Sequence, residues 1–79
     1  MDLKQLKTFC TASRLLSISK AAEVLDIGQP TATTHIKALE DELGLMLFDR
    51  VRRPIQLTSA GTSLFQAAVP LVEGMAALI

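Results

Sequence analysis

The segment from Leu64 to Ile79 constrains this chain most, because outside the apolar set it carries only Gln66, Pro70, Glu73 and Gly74. A helix of that composition has no continuous polar face and must be buried on more than one side. The chain has 79 residues, and a domain that short hides only about 60% of the surface its unfolded chain exposes. Its own core is too thin to cover such a helix, so the sequence predicts that a second copy covers it. The expected dimer contacts are Leu64, Phe65, Ala68, Leu71, Val72, Met75, Leu78 and Ile79. The segment is too short for a membrane span, which needs roughly 20 apolar residues without such interruptions.

Ahead of it, Leu3, Leu6, Phe9 and Cys10 recur at three- and four-residue spacing, which predicts an amphipathic helix from 3 to about 14 with Cys10 on its buried stripe. Ser19 precedes Lys20-Ala21-Ala22-Glu23-Val24-Leu25, and its hydroxyl is the expected cap of a short second helix from about 20 to 26. Asp26-Ile27-Gly28-Gln29 reads as a tight turn, and Pro30 sits in the first turn of a third helix to about 43, where proline is tolerated. On a 100° wheel Ala32, Ile36, Leu39 and Leu43 form its apolar stripe, while Pro30, Thr31, Thr34, Lys37, Ala38 and Asp41 face away. Two short helices around a glycine-containing turn match the helix-turn-helix pattern.

Gly44 signals the end of the third helix. Leu45 to Arg50 and Pro54 to Thr58 then flank Val51-Arg52-Arg53, which predicts a short β-hairpin with a basic tip. Thr58 or Ser59 is the expected cap of the fourth helix, which Pro70 is expected to kink. The architecture expected is mainly α: a three-helix core, a two-stranded hairpin attached as a wing, and a long C-terminal linker or dimerisation helix. Residues 1–58 form the domain, with the helix-turn-helix at about 18–43 and the wing at about 47–58; residues 59–79 form the linker helix.

Formal net charge is zero, so any polyanion partner must be met by a local patch. Arg50, Arg52 and Arg53 cluster within four residues, while Glu40, Asp41 and Glu42 are grouped elsewhere. The outward face of the third helix is small, hydroxylated and basic near its start, a surface suited to close approach in a major groove. Gln29 beside it has the side chain that pairs bidentately with adenine. One histidine and one cysteine, without a phosphate-cradling glycine loop, predict no catalysis, no metal and no cofactor. His35, at the edge of the buried stripe, is expected to contact backbone or water. The absence of a charged leader with an apolar run predicts a cytoplasmic protein.

Five separated blocks carry a family resemblance: Ser19-Lys20-Ala21-Ala22-Glu23-Val24-Leu25, Gln29-Pro30, Ile36 to Gly44, Leu47-Phe48-Asp49-Arg50 and Leu57-Thr58-Ser59-Ala60-Gly61. In this register the chain resembles the N-terminal winged helix-turn-helix of LysR-type bacterial transcriptional regulators. The resemblance implies sequence-specific binding of double-stranded DNA by a homodimer, with the third helix in the major groove and the wing on backbone or minor groove. The candidate DNA-binding residues are Ser19, Lys20, Gln29, Pro30, Thr31, Thr33, Thr34, Lys37, Arg50, Arg52 and Arg53. It further implies that these residues are a piece of a longer protein, whose absent C-terminal part binds a small-molecule effector.

The family commonly has serine at the position of Gly28, serine-arginine at Thr33-Thr34 and often glutamine at His35. Without that arginine, readout is expected to lean on hydroxyl, methyl and shape. One alternative from another class stays open, a winged helix used only for protein contact and dimerisation. A molybdate-responsive regulator has a similar domain, but with a longer and more glycine-rich wing than Arg52-Arg53-Pro54.

Overall fold

Each helix of the N-terminal half begins and ends on a signal in its own sequence. The computed structural model describes the backbone of residues 1–78 and the side chains of residues 1–75. Helix α1 spans Leu3–Leu15, and its cap is Asp2, whose carboxylate accepts from the Gln5 amide at 2.8 Å. It closes at Leu16, which takes the left-handed conformation at φ 50° and returns its amide to the Ala12 carbonyl. That turn leaves Ser17 extended, and Ser17 caps helix α2 (Ile18–Leu25) by accepting from the Lys20 amide at 3.1 Å. Ser19 is therefore not the cap. It lies inside the first turn of α2, because a cap must stand outside the helix, and the left-handed Leu16 puts Ser17 there.

Helix α3 spans Gln29–Leu43, with Gly28 at its start, Pro30 in its first turn and Gly44 closing it at φ 67°. A positive φ is open to glycine without the Cβ penalty other residues meet. Ala32, Ile36 and Leu39 are fully buried as expected, but Leu43 is 38% exposed and Glu40 takes its place on the buried face. The helix ends at Leu43, which is left partly exposed. One turn earlier, the chain returning from Gly44 lays Leu47 and Phe48 against Glu40.

The hairpin is shorter than expected. Strand β1 is Phe48–Asp49 and strand β2 is Gln56–Leu57, paired antiparallel with Phe48 opposite Leu57. Phe48 turns inward against Phe9, ring centroids 5.6 Å apart at 58°. These two rings, with Cys10, Ala12, Ala21, Ile36, Leu39 and Leu47, make the core. Cys10 is buried there as a small apolar side chain, and burial pushes its thiol pKa up, with Arg14 acting to lower it and Glu73 to raise it by smaller amounts.

Helix α4 spans Ser59–Leu78 and continues through Pro70 as one element. Its cap is Thr58, whose hydroxyl donates to the Met46 carbonyl at 2.6 Å and accepts from the Gly61 amide at 3.0 Å. Gly61 packs against the chain entering β1 so closely that a Cβ would overlap the Leu47 carbonyl.

The expectation that a second copy alone covers α4 is corrected by its packing on α1. Ala68 is 1% exposed in the core of its own chain, and Leu64, Phe65 and Val72 also lean on that core. The Arg14 guanidinium lies 5.8 Å above the Phe65 ring and bonds Glu73 at 2.9 Å, tying α4 to α1. Of the residues expected at a dimer interface, Leu71 and Met75 stand exposed; the side chain of Leu78 and the whole of Ile79 lie outside the described residues.

Candidate nucleic-acid interface

The candidate face is built on α3. The three-residue turn Asp26–Gly28 sets it against α2, with Asp26 left-handed at φ 56° closing the shorter helix. Burial of Ala32, Ile36 and Leu39 turns the opposite side of α3 outward. Gln29, Pro30, Thr31, Thr33, Thr34 and Lys37 are all exposed there. The Thr34 hydroxyl donates to the Pro30 carbonyl at 2.9 Å, which fixes its rotamer and leaves its oxygen as an acceptor and its methyl free.

Clefts border this outward face. One is lined by Ser19, Lys20, Gln29 and Arg53, so the start of α2, the start of α3 and the hairpin converge. A second, lined by Thr33, Lys37 and Asp41, runs between α3 and the loop into β1. A third lies between α3 and α1, where Thr31 and His35 meet Lys4 and Lys7. The sequence reading missed the α1 lysines because they fall on the polar side of an ordinary amphipathic helix, and no local pattern says which neighbour lies beside them.

Arg50 departs from its expected role. Its guanidinium makes a two-pronged pair with Glu40, Nη2 to Oε1 at 3.0 Å and Nη1 to Oε2 at 3.1 Å. Glu40 is only 7% exposed, and its Oε2 also accepts from the Leu47 amide at 2.8 Å and the Phe48 amide at 3.4 Å. Burial acts to raise the Glu40 pKa, but Arg50 and these amides outweigh it and hold the carboxyl below the usual range. The acidic group that looked remote from the arginines thus supplies the partner of one of them. Arg50 secures the hairpin to α3.

Arg52 and Arg53 remain exposed at the tip, as expected. Arg52 Nε is 3.7 Å from Asp49, but its side chain is 75% exposed, so the pair is weak. The Arg53 guanidinium donates to the Arg50 and Arg52 carbonyls, which shapes the tip and leaves further donors free. Val51 between them is 93% exposed. His35 is half-buried and its Nδ1 lies 2.8 Å from the Thr8 hydroxyl, so it has a side-chain partner on α1 that the sequence did not suggest. The hydroxyl reaches it because Thr8 is held on the inner face of α1, donating to the Lys4 carbonyl at 3.0 Å.

A three-helix core, a hairpin joined to its third helix by an ion pair, and a long closing helix define a winged helix-turn-helix protein. Residues 3–62 match the family described as bacterial regulatory helix-turn-helix protein, lysR family, and the chain belongs to that family. It is 45% identical to the HTH-type transcriptional regulator CitR of Bacillus subtilis (strain 168), over 92% of this chain and 25% of that protein. It is 40% identical to YtlI of the same organism, over 99% of this chain and 25% of that one. The chain thus spans about a quarter of the length of these relatives.

Its fold superposes on the BenM_DBD/catB site 1 DNA complex with a TM-score of 0.93 at 35% identity, covering 99% of this chain and 88% of the other. For the CbnR_DBD-DNA complex the TM-score is 0.87 at 34% identity, covering 96% and 87%.

Proposed function

We propose that this chain is the sequence-reading module of a cytoplasmic bacterial transcription regulator. It binds double-stranded DNA with α3 in the major groove and the hairpin tip on backbone or minor groove, and it catalyses no reaction. The observation that carries this reading is the unbroken exposed face from Gln29 to Lys37, small and hydroxylated along its length, with Lys20 and Arg53 beside its start. An α-helix with such a face fits a major groove about 12 Å wide, and threonine offers both a hydroxyl and a methyl to base edges. The likeness to two domains solved as DNA complexes supports the same reading.

Ser19, Lys20, Arg52 and Arg53 serve as backbone contacts; Gln29, Pro30, Thr31, Thr33, Thr34 and Lys37 serve the groove. Ser19 and Lys20 sit at the positive end of α2, where amides and cation act together on a phosphate. Arg50 acts by holding the hairpin. The dimer forms through the exposed side of α4 around Leu71 and Met75, which are 62% and 43% exposed. A twofold pair sets two α3 helices about 34 Å apart, one turn of DNA. Effector binding belongs to residues outside this chain. Among the described residues no helix is long and apolar enough to cross a membrane.

The test is the affinity for a mixed pool of short duplexes at several salt concentrations, since each neutralised phosphate steepens the log-log slope by about 0.9. A slope of several units supports DNA binding. A flat line from a folded, dimeric chain overturns it in favour of a protein-contact module.

A further inference from the structure

The chain has no net charge, yet its unpaired cations are not scattered. Among the described residues, Arg14 is paired with Glu73, Arg50 with Glu40 and Arg52 with Asp49. Each of the others, Lys4, Lys7, Lys20, Lys37 and Arg53, lines one of the clefts that border α3. Pairing takes up Arg14 against α4 and Arg50 against Glu40, holds Arg52 only weakly, and the cations without a carboxylate partner all border α3.

These cations divide between the two flanks of that helix. At 100° per residue Thr34 lies at the middle of the exposed side, with Gln29, Thr33 and Lys37 toward one edge and Thr31 and His35 toward the other. The first edge is the one beside Lys20 and Arg53. The second edge borders an open cleft of about 340 Å³, and the cations lining it are Lys4 and Lys7, exposed on α1 one helical turn apart. A major groove has a phosphate backbone on each side, so a helix lying in it meets negative charge along both flanks.

We infer that Lys4 and Lys7 bind backbone phosphates along the wall of the major groove opposite the hairpin, so that the DNA-binding face extends from the helix-turn-helix onto α1. This rests on the proposed placement of α3 in the groove. The lysines carry no base readout; as flexible point charges they add affinity without sequence preference. Their surroundings agree with that role: the Thr8 hydroxyl, bonded to the Lys4 carbonyl and to His35, joins this part of α1 to α3.

The experiment compares salt dependence of duplex binding for the whole chain and for Lys4→Gln, Lys7→Gln, the double variant, Lys4→Arg with Lys7→Arg, and Arg14→Gln. Each single glutamine variant is expected to lower the slope by about 0.9, and the double variant by about twice that, equally for all duplexes. The double arginine variant keeps the wild-type slope. Arg14→Gln, which removes one charge near the opposite end of α1, where Arg14 pairs with Glu73 on α4 and does not line this cleft, keeps it too. Thermal unfolding and circular dichroism of each variant register any loss of fold, and the singles stand if the double is impaired. A wild-type slope in Lys4→Gln and Lys7→Gln overturns the inference, as does an equal fall in Arg14→Gln, which makes the effect one of net charge. A flat wild-type line overturns the DNA reading itself, and this extension with it.

Discussion

Helix α3 and the hairpin lie side by side, yet they are held in different ways. Helix α3 carries Gly28, Pro30 and Gly44 at its own ends and a buried stripe of Ala32, Ile36 and Leu39 along its length. The hairpin has two residues in each strand, far below what stands alone in water. It depends on residues outside it: Glu40 on α3, which receives Arg50 and two amides, and Gly61 on α4, which lets the chain entering β1 approach. A reading element with continuous local pattern tolerates change at single positions, whereas a hairpin pinned by a few long-range contacts fails when one is lost.

The largest expected effect tests that dependence. Gly61→Ala puts a Cβ onto the Leu47 carbonyl and within 3.0 Å of Leu57 Cδ2. Backbone cannot swing aside as a side chain can, and overpacking costs about 1 to 3 kcal/mol or more. A loss of about 3 kcal/mol lowers the melting temperature of a chain this size by more than about 10 °C. Gly28→Ala, whose nearest neighbour would be Pro30 Cδ at 3.7 Å, is expected to cost under about 1 kcal/mol at a helix start. Comparable losses in the two variants would break the contrast between the regions.

Glu40→Ala comes next. It leaves the buried Leu47 and Phe48 amides without an acceptor and Arg50 without its partner, for a cost of about 2 to 3 kcal/mol in denaturant titration. The same pair has a pH signature. The folded pKa of Glu40 lies below its ordinary value, so its stabilisation is full above the usual glutamate pKa of about 4.3 and is lost as pH falls through the lower folded value. Glu40→Gln, having nothing to titrate there, should flatten that part of the acid limb. An unchanged limb would show that the pair does not hold the fold.

Arg52→Ala with Arg53→Ala sharpens the comparison from the functional side. Both side chains are exposed at the tip, so thermal stability should stay near wild type. Duplex affinity should fall for every sequence and the salt slope by about 1.8. A double variant that binds as well as wild type would remove the hairpin from the interface. The smallest effect belongs to Thr34→Ala on α3, expected to change preference among duplexes by a few-fold, less than the ~1 to 3 kcal/mol of a bidentate base contact. Uniform weakening across sequences would assign Thr34 to the backbone instead.

Family membership and the order of elements were legible because they rest on local signals. Glycine and proline at the turns, apolar residues recurring every three or four positions along α1 and α3, and five motif blocks in register all act over a few residues of chain. Thr58 capping α4 and Cys10 in the core belong with them. The exposed residues from Gln29 to Lys37 were also readable, since a helix with one buried stripe must turn the other side to water.

Most of the roles that were misread depend on distant partners, and the cap of α2 turned on a backbone conformation a few residues before it. Ser17 outcompeted Ser19 as a cap because Leu16 turns left-handed between α1 and α2. Ala68 went to the chain's own core because α1 lies along α4. Arg50 went to Glu40, and His35 to Thr8, because neighbours in space are not neighbours in sequence.

The sequence by itself determined which segments are helical, where they stop, and which family they compose, since backbone caps and apolar periodicity operate within a turn or two. Only the tertiary structure decided which charges remain unpaired. A carboxylate cancels an arginine across several ångströms of space whatever number of residues separates them. The distribution of free positive charge around α3 is therefore a property of the folded chain.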